Sequence, residues 1–216
     1  MPFPLGVAAI VFAPAPAMEC VERAAALGFD HVDLGQAALA GLEAEGKPLA
    51  LPVGDVIAGR GFPPGCTTVA PVQRPGQSFD DVVALLRAHP GTRLEAGPRT
   101  VAGSVAAIRA LAEAVPGLRF TIDTGHIATW GEDPVEVLDL ADHVQLRQAA
   151  RGRPQLLPDE GGDVDFAAVI ARLERLDYRG RLTIEYFDLP DYGWPLADPV
   201  GHAVALAESL APLLGR

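Results

Sequence analysis

Four acidic or amide side chains stand where short runs of alternating polar and apolar residues end. In LRFTIDTGHI, Ile122 falls on one face of a predicted strand and Asp123 on the other, because successive side chains of a strand point in opposite directions. The runs TRLEAG, HVQLRQ and LTIEYF present Glu95, Gln145 and Glu185 in the same way. Three carboxylates that converge beside an amide would repel one another without a cation. Mg²⁺ or Mn²⁺ suits such oxygen ligands, and zinc suits them less.

The same alternation indicates how the strands are arranged. Strands of an open parallel sheet are covered on both faces and show continuous apolar runs. Strands of a closed barrel instead turn one set of side chains to the surrounding helices and the other to the axis, with chemistry at the top layer. From Glu95 onwards, strand and helix patterns alternate cleanly, which predicts right-handed βαβ units. We therefore predict an α/β fold, a TIM (β/α)8 barrel, as a single domain over residues 1–216.

The N-terminal half is short for such a barrel, which usually needs about 250 residues. We expect a strand over 5–12, a helix over 18–27, a strand that turns Asp33 to the axis, and a helix over 37–45. The segment that follows has two strand-like runs without a convincing helix between them. The first half is therefore predicted to be abbreviated, by loss of the helix between the third and fourth strands.

Composition limits the classes of function. The chain has 216 residues, 49% of them hydrophobic, and a formal net charge of -11, which opposes binding to nucleic acid. Cys20 and Cys66 are too few for a disulfide framework and are expected to be core residues of a cytoplasmic protein. No apolar stretch is long enough to span a membrane.

Several runs together carry a family resemblance: LEAGPRT, FTIDTGHIATWGEDP, ADHVQLRQAARGRP and GGDVDFAAVIARLERLDYRGRLTIEYF. They resemble the xylose-isomerase-like superfamily of sugar isomerases and epimerases, and HVQ, GRP and IEY are closest to its hydroxypyruvate isomerase branch. The resemblance implies a TIM barrel that binds one divalent cation. Many members have histidine where Gln145 stands, and the usual Gly-Glu-Gly reads here as Glu160-Gly161-Gly162. The implied metal ligands are Glu95, Asp123, Gln145 and Glu185.

The expected reaction is isomerisation or epimerisation of a small α-hydroxycarbonyl compound through an enediolate. The cation would polarise the carbonyl group, while Glu95 and Glu185, the expected catalytic residues, move the proton between carbons. A guanidinium can hold carboxylate or hydroxyl groups, and an aromatic ring suits the apolar face of a sugar. The candidate substrate-binding residues in the loops after the strands are His126, Arg151, Arg153 and Trp130.

Three other functions are weighed against this one. A sugar dehydratase or another lyase would use the same enediolate, and a non-catalytic sugar-binding barrel would fit the short first half. An endonuclease-IV-like DNA-repair enzyme would need a histidine-rich zinc site and a basic groove, which five histidines and the net charge of -11 disfavour. The expected partner is a small sugar or keto-acid, with neither nucleic acid nor membrane, and a homo-oligomer is left open.

Overall fold

Eight parallel strands close into a barrel in the computed structural model, which describes residues 3–58, 67–68 and 77–216. In ring order they are β1 (Leu5–Ala8), β2 (Val32–Gly35), β3 (Val53–Ala58), β4 (Thr67–Thr68), β5 (Arg93–Glu95), β6 (Arg119–Asp123), β7 (Ala141–Leu146) and β10 (Leu182–Ile184). The ring closes where β10 pairs with β1. The predicted α/β TIM barrel is therefore confirmed. The helix expected to be lost between the third and fourth strands falls on residues 59–66, which lie outside the described residues.

Helices cover the outside of the barrel. They are α1 (Ala17–Ala26), α2 (Gln36–Glu45), α3 (Phe79–Ala88), α4 (Val105–Ala114), α5 (Thr124–Trp130), α6 (Phe166–Arg175) and α7 (Pro199–Leu210). Ser78 and Asp81 form a capping box at the start of α3, which satisfies backbone N–H groups that lack partners within the helix. Residues 134–140 form a 3-10 helix, and an antiparallel hairpin of β8 (Gln148–Ala150) and β9 (Arg153–Leu156) follows β7. Among the described residues, no helix is long and apolar enough to cross a membrane.

The main core lies between the strands and the helices. The strand side chains that face outward are fully buried, as Leu94, Phe120 and Ile184 show. Full burial of one such side chain contributes about 1.5–3 kcal/mol. Cys20 of α1 belongs to the same core, as expected from the sequence, whereas Cys66 lies outside the described residues.

The inward-facing side chains make a polar barrel axis. His143 Nε2 donates a hydrogen bond to Asp33 Oδ2 at 2.7 Å, and His31 Nε2 is hydrogen-bonded to Thr183 Oγ1 at 3.0 Å. All four residues are buried. Gly54 of β3 makes room for them, since a Cβ atom there would overlap the His31 ring. The layer beneath the mouth is thus held by hydrogen bonds between strands far apart in the sequence.

Replacement of Gly54 by alanine tests this crowded layer. We expect Gly54→Ala to lower the free energy of unfolding by about 1–3 kcal/mol, because the added methyl group must displace His31 and Asp33. The matched control is Gly41→Ala in α2, where nothing lies within 4 Å of the added atom. Alanine should stabilise that helix by about 0.5–1 kcal/mol. Urea unfolding of both variants measures the difference, and equal stabilities would contradict the packing described.

Candidate active site

A cavity of about 660 Å³ opens at the carboxyl ends of the barrel strands. This volume is within the range of about 300–1,000 Å³ that is usual for small-molecule sites. Its titratable lining groups are Asp33, Glu95, Arg99, His126 and Glu185, within the described part of the chain. Phe187, Leu189 and Trp194 form an apolar wall. In a TIM barrel, this end is where active sites lie.

Strand register brings the four expected site residues to this mouth. Glu95 ends β5, and Asp123 ends β6 directly beside Gln145 of β7. Gln145 in turn pairs with Thr183 of β10, two residues before Glu185. Glu95 and Glu185 line the cavity, whereas Asp123 and Gln145 are fully buried below it. All four therefore lie at the carboxyl end of the barrel, and their roles as metal ligands or catalytic residues stay predictions.

Asp123 also starts a helix that the sequence analysis treated as a loop. Its Oδ1 atom accepts hydrogen bonds from the backbone N–H groups of Gly125 at 2.7 Å and His126 at 3.2 Å. Aspartate is among the preferred residues for this capping position. His126 consequently lies in the first turn of α5, and its position is fixed by Asp123.

Arg147 is the functional candidate that the sequence analysis missed. Its side chain is fully buried, and Nη2 donates to Asp123 Oδ2 at 2.5 Å. The guanidinium carbon lies 4.5 Å from the centre of the Phe187 ring and 5.6 Å from that of Trp194. The alternation of HVQLRQ contained the signal, because Arg147 shares the face of His143 and Gln145.

His126 lines the cavity with a defined ring orientation. Its Nδ1 donates to the carbonyl oxygen of Ala96 at 3.0 Å, which leaves Nε2 on the side of Asp123 Oδ2, 3.4 Å away. Burial lowers the pKa of His126. The Trp194 ring lies 5.5 Å from the imidazole, centre to centre. A neutral imidazole is thus held between the cavity and Asp123.

Both cavity glutamates have a raised pKa. Burial and then the charge of Asp123 raise the pKa of Glu95 to about 7. Burial and then the charge of Glu95 raise the pKa of Glu185 well above its ordinary value. Arg147 acts in the opposite direction on both. Two coupled carboxyl groups of this kind favour a state in which one is ionised and the other protonated.

The sequence of this chain establishes the protein family to which it belongs. A model of the xylose isomerase-like TIM barrel family matches residues 67–210, more than half of the chain. The chain belongs to the xylose isomerase-like TIM barrel family. No curated protein matches it in sequence.

Solved structures share the fold of this xylose isomerase-like barrel at low sequence identity. An L-ribulose 3-epimerase has a TM-score of 0.70 and 16% identity, covering 100% of this chain and 95% of that one. A D-allulose 3-epimerase from Methylomonas sp. has a TM-score of 0.66 and 19% identity, covering 98% and 99%. A probable 3-DHS dehydratase from Bacillus anthracis has a TM-score of 0.60 and 14% identity, covering 92% and 97%. These likenesses show a shared architecture.

Three of the expected substrate contacts lie away from the cavity of this xylose isomerase-like barrel. Arg151 and Arg153 are exposed on the β8–β9 hairpin, and Trp130 ends α5 packed against the core. None of the three is part of the cavity lining. The sequence showed that the arginines follow β7, but not that a hairpin turns them away from the mouth. Within the described residues, Arg99 and Trp194 line the cavity instead.

The residues present do not fit the four-ligand cation centre that the family resemblance implies. Among the described residues, no group of three histidine, cysteine, aspartate or glutamate side chains is arranged to hold a metal ion. The Oδ2 atom of Asp123 already accepts from a guanidinium, and Oδ1 accepts from two backbone N–H groups. One feature does suit a cation, since neither atom of the Gln145 amide has a hydrogen-bond partner in the described part of the chain. The metal-ligand set stays a prediction without structural support.

The Asp33–His143 pair, of which Asp33 lines the cavity, predicts a pH-dependent stability. Burial opposes the charge on each group, but their interaction outweighs it, lowering the pKa of Asp33 and raising that of His143. The Asp33 contribution is lost as pH falls below the ordinary value of 3.8, and the His143 contribution is lost as pH rises above 6.5. Both contributions are present between these values.

We therefore expect Asp33→Asn to cost about 3 kcal/mol of unfolding free energy near pH 5, because removing one partner leaves a buried charge unpaired. The loss of unfolding free energy should be smaller below pH 3.8 and above pH 6.5. Urea unfolding across the pH range measures it, with exposed Asp159→Asn as the control, expected within about 0.5 kcal/mol of the wild type. A loss for Asp33→Asn that does not vary with pH would show that the pair is not charged in the fold.

Proposed function

We propose that the chain is an enzyme that isomerises or epimerises a small sugar or hydroxy-keto acid by moving a proton beside a carbonyl group. One observation carries this proposal: two buried glutamates, Glu95 and Glu185, face the same cavity at the mouth of a closed parallel barrel. Removal and return of a proton at carbon need a base and an acid held on the substrate at the same time. A coupled pair of buried carboxyl groups supplies both.

The pKa shifts support a division of labour between the two groups. The pKa of Glu95 is raised to about 7, so this group is ionised in a large fraction of molecules near neutral pH and accepts the proton. Burial and then the charge of Glu95 raise the pKa of Glu185 well above its ordinary value, which favours the protonated form that can donate a proton. The roles exchange in the reverse reaction. His126, held neutral by burial, is placed to hydrogen-bond a substrate hydroxyl group.

The cavity lining supports a small polar substrate with one apolar face. Trp194 and Phe187 stack at 5.5 Å between ring centres and present an aromatic wall. Arg99 is the arginine of this lining in the described part of the chain, and its guanidinium can hold a carboxylate or a hydroxyl pair. A keto-acid such as hydroxypyruvate therefore belongs among the first substrates to test, as does a short ketose.

A lyase is the second candidate. A protonated Glu185 at the cavity can give its proton to a departing hydroxyl group after Glu95 has removed the proton from the neighbouring carbon. Loss of water would then replace return of the proton to carbon. Product analysis by NMR and mass spectrometry separates the two reactions, because only the lyase product has lost one molecule of water from the substrate.

Solvent exchange tests the proposal directly. We expect the protein to exchange the α-hydrogen of a short ketose or keto-acid with deuterium from D₂O, and Glu95→Gln or Glu185→Gln to slow this exchange by about 100-fold or more. Proton NMR follows the exchange. The matched control is Glu113→Gln on the exposed face of α4, which should leave the rate unchanged. Exchange that survives in both cavity variants, or no exchange by the wild type with any substrate tested, would contradict the proposal, and the latter would favour a sugar-binding barrel.

Charge predicts that nucleic acid is not a substrate. With a formal net charge of -11, we expect no binding to duplex DNA at physiological salt, with or without an abasic site, because association with DNA depends on cationic contacts to phosphates. Fluorescence anisotropy with labelled duplexes measures this, with a DNA-binding protein as the positive control. Cleavage at abasic sites would instead favour an endonuclease.

A further inference from the structure

We infer that the guanidinium of Arg147, rather than a bound divalent metal ion, is the resident cation of this carboxylate site. Arg147 acts on the same site as the proposed function, and its role rests on that function. Its charge lies beneath the cavity, in contact with Asp123 and under the aromatic wall. Three observations support this: how the side chain is positioned, which atoms of Asp123 it occupies, and which of its donors remain.

Strand β7 and helix α5 together position the Arg147 side chain. It continues the inward face of β7, two residues after Gln145, and is fully buried. The first turn of α5 passes directly over it at Gly125, where an added Cβ atom would lie 2.5 Å from Nε and 3.0 Å from Cβ of Arg147. Only a glycine leaves room for the arginine there. Its placement is therefore built into the backbone of the neighbouring helix.

Arg147 occupies the oxygen of Asp123 that a metal ion would need. Oδ1 of Asp123 is committed to the N–H groups of Gly125 and His126, which hold α5 in place. Oδ2 accepts from Nη2 of Arg147 at 2.5 Å, a charge-assisted bond of the strong kind. The guanidinium is packed 4.5 Å from the centre of the Phe187 ring. A metal ion on Asp123 would have to displace a cation that is enclosed on both sides.

The remaining donors of Arg147 are uncommitted. Nε and Nη1 are buried and have no hydrogen-bond partner in the part of the chain that the structure describes. Buried polar atoms without partners are rare in proteins, so the contribution of this guanidinium is its charge beside Asp123 and not a full set of hydrogen bonds. Arg147 does not line the cavity. It is therefore a positioning residue that acts through Asp123 and through its field on Glu95 and Glu185.

Binding of Mn²⁺ alone, followed by electron paramagnetic resonance and by the melting temperature with and without millimolar MnCl₂, tests the inference. We expect no saturable Mn²⁺ binding and no change in melting temperature for the wild type. Arg147→Ala frees Oδ2 of Asp123 among three carboxylates and should gain a Mn²⁺ site, seen as a rise in melting temperature. Asp123→Asn added to that variant should abolish the gain. Arg147→Lys, which keeps a cation at this position, should behave as the wild type does.

The matched control breaks an arginine–aspartate pair elsewhere. Arg109→Ala in α4 releases Asp139 on the helix layer, and it should not create a Mn²⁺ site. Uptake of one Mn²⁺ per chain by the wild type, lost in Asp123→Asn, would overturn the inference and restore the four-ligand metal centre. The wild-type titration decides this even when Arg147→Ala does not fold. Exchange of the substrate's α-hydrogen in D₂O tests the proposed function separately. A protein that neither catalyses this exchange nor binds Mn²⁺ would contradict the proposed function alone.

Discussion

The buried ion pair between Arg147 and Asp123 is the interaction on which the mouth of the barrel depends. Asp123 ends β6 and caps α5, while Arg147 follows β7 and passes under Gly125 of α5. One carboxylate thus joins two strands and a helix, and that helix carries His126 into the cavity. Loss of either partner would leave a buried charge unpaired, at a cost of about 3–5 kcal/mol. The Arg147–Asp123 pair therefore fixes both the geometry of the site and the stability of the first turn of α5.

The layers beneath the mouth have the same character. Most barrels of this type fill the axis with branched apolar side chains, whereas here His31, Asp33, His143 and Thr183 form a hydrogen-bonded axis. The apolar core lies instead between strands and helices. Above this axis, burial is the main cause of the raised pKa values of Glu95 and Glu185, and the charges of Asp123 and Glu95 add to it.

Sequence periodicity was sufficient to predict the barrel and the end at which Glu95, Asp123, Gln145 and Glu185 meet. Alternation within a strand decides which face a side chain takes, and parallel pairing decides which strand ends meet. Helix α5 escaped prediction because Thr124 and Gly125 are weak helix formers, and only the carboxylate of Asp123 starts the helix. The outward turn of Arg151 and Arg153 depends on a hairpin closed by Gly152, and the contact of Arg147 with Asp123 depends on packing across two strands. Neither has a local sequence pattern.

The most direct measurement is a crystal structure grown in MnCl₂ with diffraction data collected at the manganese absorption edge. If Arg147 is the resident cation, its guanidinium will lie on Oδ2 of Asp123, and the mouth of the barrel will show no anomalous peak. An anomalous peak between Glu95, Asp123 and Glu185, with the Gln145 oxygen as a further ligand and Arg147 turned away, would contradict this.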